Sequence, residues 1–293
     1  VGAVVVWLVS TIGAAVDRGL RTETIEGFGA AGPIHLAADG RIILARASSS
    51  AATPDGRIEA FDPTTHARTT ILDGLVHPVA ADVSLDGTVC AIVRPADGEE
   101  PTGIRCSSGL TVDVNAGSPA GLPGARAAVA DIVSDGADGW VVVDPARVAL
   151  LHVNRAGTVD LLARIRQYPS VPALPLGLTR DGSRILVAAG DPGFALASTA
   201  DRGIEIKTDS IISGSFVLAL AARPNGNPLV AVVNRGEGSV GFVAIPSSNG
   251  EIGPTHLTDD LEDLHGFVIL QDGRVAVATA SRLVIVRPNP PLQ

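Results

Sequence analysis

The chain has 293 residues, rich in Gly (33) and Pro (20), and its 31 acidic against 22 basic side chains leave a net charge of −9. No basic run offsets that charge, so nucleic acid and anionic membrane surfaces, which reward clustered cations, are excluded as partners of the folded domain. Aromatic residues are only 3% of the chain, which argues against a sugar-stacking platform or an aromatic cage.

The first sixteen residues, VGAVVVWLVSTIGAAV, carry no charge. Three readings fit residues 1–20: the apolar part of an export signal, a membrane anchor continued upstream, or an extra β-strand over Val4 to Val9. Residues 21–28 (RTETIEGF) look like the segments ARTTILDGL (67–75) and TVDLLARI (158–165), each of which closes a later repeat. The stretch IHLAADGRIILA (34–45) then sets the pattern for the rest. Asp-Gly between two apolar runs is the strongest short-range hairpin signal, read here as a two-residue turn with both residues at positive φ.

The same device returns in ADVSLDGTVCAI, ADIVSDGADGWVVV, LGLTRDGSRILVAA, ALAARPNGNPLVAVV and FVILQDGRVAVAT. Its turn residues are Asp39, Asp86, Asp135, Asp181, Asn225 and Asp272, spaced 44 to 49 residues apart. Six copies at one period indicate a repeat architecture, in which no single unit buries its own faces. Each repeat reads as four short strands, and helical periodicity is nowhere sustained. The expected fold is all-β: a six-bladed β-propeller of four-stranded antiparallel blades over residues 21–288, with 289–293 as a tail. The last repeat stops at Pro288 one strand short. Residues 21–28 are expected to supply that outer strand and close the ring, covering free sheet edges.

Cys90 falls on the outgoing strand of the second repeat and Cys106 on the strand after it, with the turn-rich RPADGEEPTG between them. A hairpin closing near Gly98 sets the two cysteines opposite each other, within disulfide range. A bridge implies an oxidising compartment, so the chain is expected to be extracytoplasmic: secreted, periplasmic or membrane-anchored. The alternative is two buried free thiols.

Chemistry is sought where first strands line a central channel. Four positions before the turn residue the six repeats carry His35, Asp82, Asp131, Gly177, Ala221 and Val268. One side of the channel mouth is therefore polar and the other small or apolar, as in small-molecule sites. His35, Asp82 and Asp131 are candidates for acid–base catalysis or ligand binding. The plain alternative is a hydrated pore in which the two aspartates satisfy neighbouring backbone N–H groups. His77, Tyr168 and His265 are placed on the same face, that of the loops entering the first strands. Asp82, Asp131 and Asp263 are the candidate ligands for a divalent cation, calcium or another, although the acidic segment THLTDDLEDLHG (255–266) lacks the Gly and spacing of a calcium loop. His66 and His152 are read as structural. No G-x-S-x-G elbow, Walker loop, H-E-x-x-H or C-x-x-C occurs.

The run GPIHLAADGRIILA…GRIEAFDPTT resembles the opening of the NHL and SMP-30/gluconolactonase/strictosidine-synthase-like group of six-bladed propellers. The resemblance extends over nearly the whole chain past residue 20. Within it, GLPGARAAVADIVSDGADGWVVVD, ALLHVNRAGTVDLLARI and PLGLTRDGSRILVAAG are similar to secreted bacterial propellers of the scytonemin-biosynthesis-associated type. The resemblance implies the fold. It does not carry lactonase chemistry, because that family's acidic ligand before the first Gly-Pro is replaced by Ala31 ahead of Gly32-Pro33. Its later Asn and Asp ligands are likewise replaced by Leu176 and Ala189-Gly190. The expectation is a monomeric, exported, non-catalytic module that binds a small molecule or a partner protein on the channel face. The alternative is a divergent hydrolase or lactonase built on His35, Asp82 and Asp131.

Overall fold

The computed structural model describes residues 21–50, 53–95, 101–116, 127–137, 139–164, 177–181, 184–188, 194–198, 204–207, 215–222, 228–234, 240–244, 254–255 and 264–287. Residues 1–20, Tyr168, Asp263 and the tail 289–293 lie outside them. Every regular element among the described residues is a strand, and the strands form six four-stranded antiparallel sheets.

Strand β1 (Arg21–Glu26) comes first and belongs to the last sheet. The first sheet is β2 (His35–Leu36), β3 (Ile42–Arg46), β4 (Gly56–Phe61) and β5 (Arg68–Leu75). The second is β6 (Pro78–Val83), β7 (Val89–Val93), β8 (Gly103–Cys106) and β9 (Thr111–Asp113). The third is β10 (Asp131–Ser134), β11 (Gly139–Asp144), β12 (Ala149–Asn154) and β13 (Val159–Arg164). The fourth is β14 (Gly177–Asp181), β15 (Arg184–Ala188), β16 (Phe194–Ser198) and β17 (Ile204–Lys207). The fifth is β18 (Ser215–Ala222), β19 (Pro228–Asn234), β20 (Val240–Ala244) and β21 (Pro254–Thr255). The last is β22 (Leu264–Ile269), β23 (Val275–Thr279) and β24 (Arg282–Arg287), with β1 antiparallel to β24 from Arg21↔Arg287 to Glu26↔Arg282. Residues 21–26 thus supply the outer strand of the last sheet, as the repeat pattern requires.

Sheets pack face to face, and the apolar clusters lie between neighbours. Ile92, Ile104, Trp140 and Leu151 join the second and third sheets, and Ile43, Ala60, Ala81 and Ala91 join the first and second. Phe28, Ile42, Val268 and Ile285 join the first and last. The second strand of a sheet is covered on both faces, which is why VCAIV and VAVAT read as continuous apolar runs, buried at every residue, and do not alternate. The outer strand β5 is mostly exposed and carries Thr, Arg and Asp accordingly. First strands meet in succession: β6 touches β10, β10 touches β14, β14 touches β18, β18 touches β22, and β22 touches β2.

The hairpin turns differ from the two-residue expectation. Gly40, Gly87 and Gly273 have φ of 84°, 84° and 79°, while none of the aspartates before them has positive φ. Gly40 N–H donates to Ala37 O and Ala37 N–H to Arg41 O, and the second and last hairpins repeat both bonds. This is a three-residue loop, a type I turn followed by one left-handed Gly. Asp is selected for its carboxylate, which accepts from the backbone N–H two residues on, Arg41 N at 3.1 Å and Thr88 N at 3.0 Å.

Cys90 and Cys106 are directly opposed on β7 and β8 and form a disulfide, with Cα atoms 4.1 Å apart. A cage of arginines holds the segment between β1 and β2 to the first sheet. Glu59, 4% exposed, accepts from Arg57 Nε at 2.6 Å and Arg68 Nη1 at 2.9 Å, with Arg46 Nε at 3.9 Å. Arg46 and Arg68 also donate to the carbonyls of Gly27 and Phe28, and the Arg68 guanidinium lies 5.2 Å from the centre of the Phe28 ring. Burial raises the Glu59 pKa, but hydrogen bonds from Arg57 and Arg68 overcome it and leave the carboxyl below its usual range.

Candidate functional site

The column four positions before the turns comes together where the first strands converge. His35 begins β2 and Asp131 begins β10, 96 positions further along the chain, yet His35 Nε2 lies 2.7 Å from Asp131 Oδ1. The pair therefore reaches across the second sheet's position, from the first sheet to the third. Asp82, on β6 between them, is 6% exposed, while His35 is 5% and Asp131 1% exposed.

Both aspartates also hold backbone. Asp131 accepts from its neighbour Ile132 N–H at 2.8 Å and, through Oδ2, from Leu178 N–H of β14 at 2.7 Å. Asp82 Oδ2 accepts from Ser134 N–H of β10 at 2.8 Å. Each carboxylate thus ties its own inner strand to the inner strand of the next sheet. That is the structural role anticipated for a plain pore, and a buried N–H left without such a partner would cost about 1–3 kcal/mol.

The electrostatics follow from this geometry. Burial alone would lower the His35 pKa, but the charge and hydrogen bond of Asp131, with the Asp82 charge added, raise it to about 9. His35 is accordingly an imidazolium at neutral pH, held between two carboxylates. A second His–Asp pair lies farther out, with His152 Nε2 2.9 Å from Asp135 Oδ2. Asp135 is a turn residue whose other oxygen accepts from Ala137 and Gly139 N–H, so this pair braces the third hairpin.

A cavity of about 160 Å³ lies beside His35 and Asp82. Its walls come from five sheets and include Val133, Ala221, Val268 and Ile269, so one side is polar and the other apolar. The remaining walls, Leu36, Ala38, Val83 and Leu85, run toward the hairpin turns. Among the described residues, the cavity's walls therefore run toward the turn end of the inner strands.

His77 and His265 are not among the cavity walls. His77 precedes β6 with φ of 43°, its N–H bonded to Ser48 Oγ at 2.9 Å, and its buried Nδ1 has no partner among the described residues. His265 sits at the register shift between Leu264 and Gly266, and its buried Nδ1 likewise has no partner among the described residues. Among the described residues, no three His, Cys, Asp or Glu side chains are grouped to hold a metal ion. Sequence reasoning named His35, Asp82, Ala221 and Val268 of these walls and missed the rest, of which Leu85 is the most exposed large side chain. It is 66% exposed, the one large hydrophobic so placed among the described residues. The available signal was a Leu directly before the turn Asp in SLDG, where the other repeats with an Asp turn carry Ala, Ser, Arg or Gln.

Comparison with known proteins finds no matching family model and no similar curated protein. Solved structures do match. A gluconolactonase-like protein superposes with a TM-score of 0.59 at 14% identity, over 92% of each chain. Virginiamycin B lyase from Staphylococcus aureus matches with a TM-score of 0.55 at 9% identity, over 92% of this chain and 99% of that one. The extracellular domain of the two-component system BT4673 from B. thetaiotaomicron matches with a TM-score of 0.53 at 12% identity, over 87% of this chain and 32% of that one. At such identities the likeness shows the fold, a β-propeller, and nothing of the activity.

Proposed function

We propose that the chain is an exported binding module, a six-bladed β-propeller whose six sheets form a closed wheel around the His35–Asp131 pair. Its task is to hold a small molecule at the turn end of the hub, as a sensor or accessory domain. It is placed within the SMP-30/gluconolactonase-like group, beside the secreted scytonemin-biosynthesis-associated propellers. The observation that carries this reading is the hub cavity itself, a space bounded by five sheets with His35 and Asp82 on one wall and Ala221 and Val268 on the other. Apolar walls supply burial and a few placed polar groups supply orientation, the usual division of labour in a ligand site. An extracytoplasmic location fits the Cys90–Cys106 bridge, since such bonds persist in oxidising compartments.

In the alternative, a hydrolase built on His35, Asp82 and Asp131, His35 would be the natural base. An imidazolium with its pKa raised to about 9 has no lone pair to offer at neutral pH, and Asp131 occupies its Nε2. His35 is better suited to orient a ligand or to donate a proton. The test is ligand-observed NMR of the oxidised protein with a panel of small amines, polyols and lactones, at neutral pH. Saturable binding that disappears in both Ala221→Leu and Val268→Leu, which fill the cavity, supports the binding reading. Turnover of a lactone that is lost in His35→Gln, or binding unaffected by either filled variant, overturns it.

A further inference from the structure

We propose that the hub cavity takes a small uncharged carbonyl compound with no donor of its own, a ketone or tertiary amide, its oxygen on His35 Nδ1 and its carbon skeleton on the apolar wall. The inference rests on the binding reading above and names the ligand class of the same site. Among the described residues, the charged side chains at the hub are already engaged, with one exception. Asp131 is not among the cavity walls and is filled: Oδ1 takes His35 Nε2 and Ile132 N–H, and Oδ2 takes Leu178 N–H. Asp82 lines the cavity but is held by Ser134 N–H and by a further interaction. His35 uses one of its two ring nitrogens. Nε2 is turned to Asp131, and Nδ1 has no hydrogen-bond partner among the described residues. The Nδ1 atoms of His77 and His265 are shut away from solvent; that of His35 is not, although the residue as a whole is 5% exposed. The space that His35 borders is the hub cavity. A donor nearly buried without an acceptor is unfavourable, so the occupant is selected by what it offers that nitrogen.

Charge and shape decide what that offer is. One carboxylate in hydrogen-bond contact at 2.7 Å and a second close by hold the ring in its cationic form, so Nδ1 carries a proton and calls for an acceptor. The walls hold one positive group, His35, and one negative group, Asp82, so no net charge draws an ion in. A carboxylate entering the space would face Asp82, and an ammonium would face His35; either would be a buried charge without full compensation. Val133, Ala221, Val268 and Ile269 offer no side-chain polar atom, so an N–H or O–H directed at them would go unsatisfied. An acceptor oxygen on an apolar body meets both walls. At about 160 Å³ the cavity is about half the lower end of the usual range for ligand pockets, about 300 Å³. It has room for roughly five waters at about 30 Å³ each, which limits the occupant to roughly five or six non-hydrogen atoms.

The test uses the oxidised full chain at pH 7, with cyclopentanone as the probe and cyclopentane, cyclopentylammonium and cyclobutanecarboxylate as controls of similar size. Affinity is read by ligand-observed NMR, and the place of binding by the ¹⁵N resonance of His35 Nδ1. Cyclopentanone should bind saturably and move that resonance. Its affinity should fall about tenfold or more in Ala221→Leu and in Val268→Leu, which fill the cavity from two different sheets and leave His35 and its partners in place. Each control should bind about tenfold or more weakly than the ketone, the margin that a hydrogen bond to a charged group commands. Cyclopentane binding as well as cyclopentanone, or ketone binding that leaves the Nδ1 resonance unmoved, overturns the carbonyl contact and leaves the hub reading standing. Either ion binding as well as the ketone overturns the uncharged class. An Nδ1 resonance that reports an unprotonated nitrogen at pH 7 overturns the donor on which the proposal depends. Binding of none of the four, the cavity holding water alone, overturns the proposal; the hub reading falls as well if neither filled variant affects the wider ligand panel.

Discussion

Replacing Asp131 by Asn isolates what the hub ion pair contributes. Asn keeps the shape and one acceptor for Leu178 or Ile132 N–H, but it removes the charge that keeps His35 protonated. In the native protein the His35 pKa is about 9, against about 6.5 in an unfolded chain. A pKa raised on folding stabilises the protein fully below the unfolded value, and that contribution is lost as pH climbs through the folded one. Between pH 6.5 and 9 each unit therefore removes about 1.4 kcal/mol, for roughly 3 kcal/mol in all. His35 is 5% exposed, so little of this is screened by solvent. Urea denaturation of native protein and Asp131→Asn at pH 6, 7.5 and 9.5, with the disulfide intact, reads the difference directly. The gap between the two should be widest at pH 6 and narrow by roughly 3 kcal/mol at pH 9.5, leaving only the cost of an imperfect amide in place of the carboxylate. Titration of the His35 ring by NMR should show a midpoint near 9 in the native protein and a clearly lower one in the variant, where only the Asp82 charge still opposes burial. A gap that does not change with pH, or a native midpoint near 6.5, would refute the reasoning.

Three further outcomes are expected. Glu59→Gln leaves Arg46, Arg57 and Arg68 around a neutral amide. Because those arginines are partly exposed, the loss should be about 2 kcal/mol, below the 3–5 of a fully buried pair, read as a fall in the thermal midpoint. Gly32→Ala would put a Cβ 2.4 Å from Val79 O, a backbone atom that cannot swing away, so the variant should lose about 1–3 kcal/mol in denaturant. Reduction, or the Cys90→Ala/Cys106→Ala double variant, should lower stability by about 3 kcal/mol for a loop of this length. A thiol probe should label the reduced protein only after unfolding, since both sulfurs sit in the cluster between the second and third sheets.

Local chemistry sufficed for the strands, for the positions of the turns and for the bridge, while the three-residue form of the turns emerged only in the structure. Apolar runs bounded by Asp-Gly, or by Asn-Gly in the fifth repeat, mark the inner hairpins, and in the described ones the turn uses one left-handed Gly and an Asp carboxylate on the backbone. The pairing of Cys90 with Cys106 follows from hairpin register, and the pairing of 21–26 with the last sheet from a repeat one strand short. Even the polar column was visible, since inner strands share one offset from their turns. Whether His35 meets Asp131 or Asp82 was not, because that depends on the angle between sheets whose paired residues lie 96 positions apart in the chain. The same holds for Asp82 reaching Ser134, for the arginines closing over Phe28, and for cavity walls that run toward the turns. Sequence period sets what each sheet is; the packing of one sheet against the next decides which side chains face a common space, and the pairing of His35 with Asp131 arises only there.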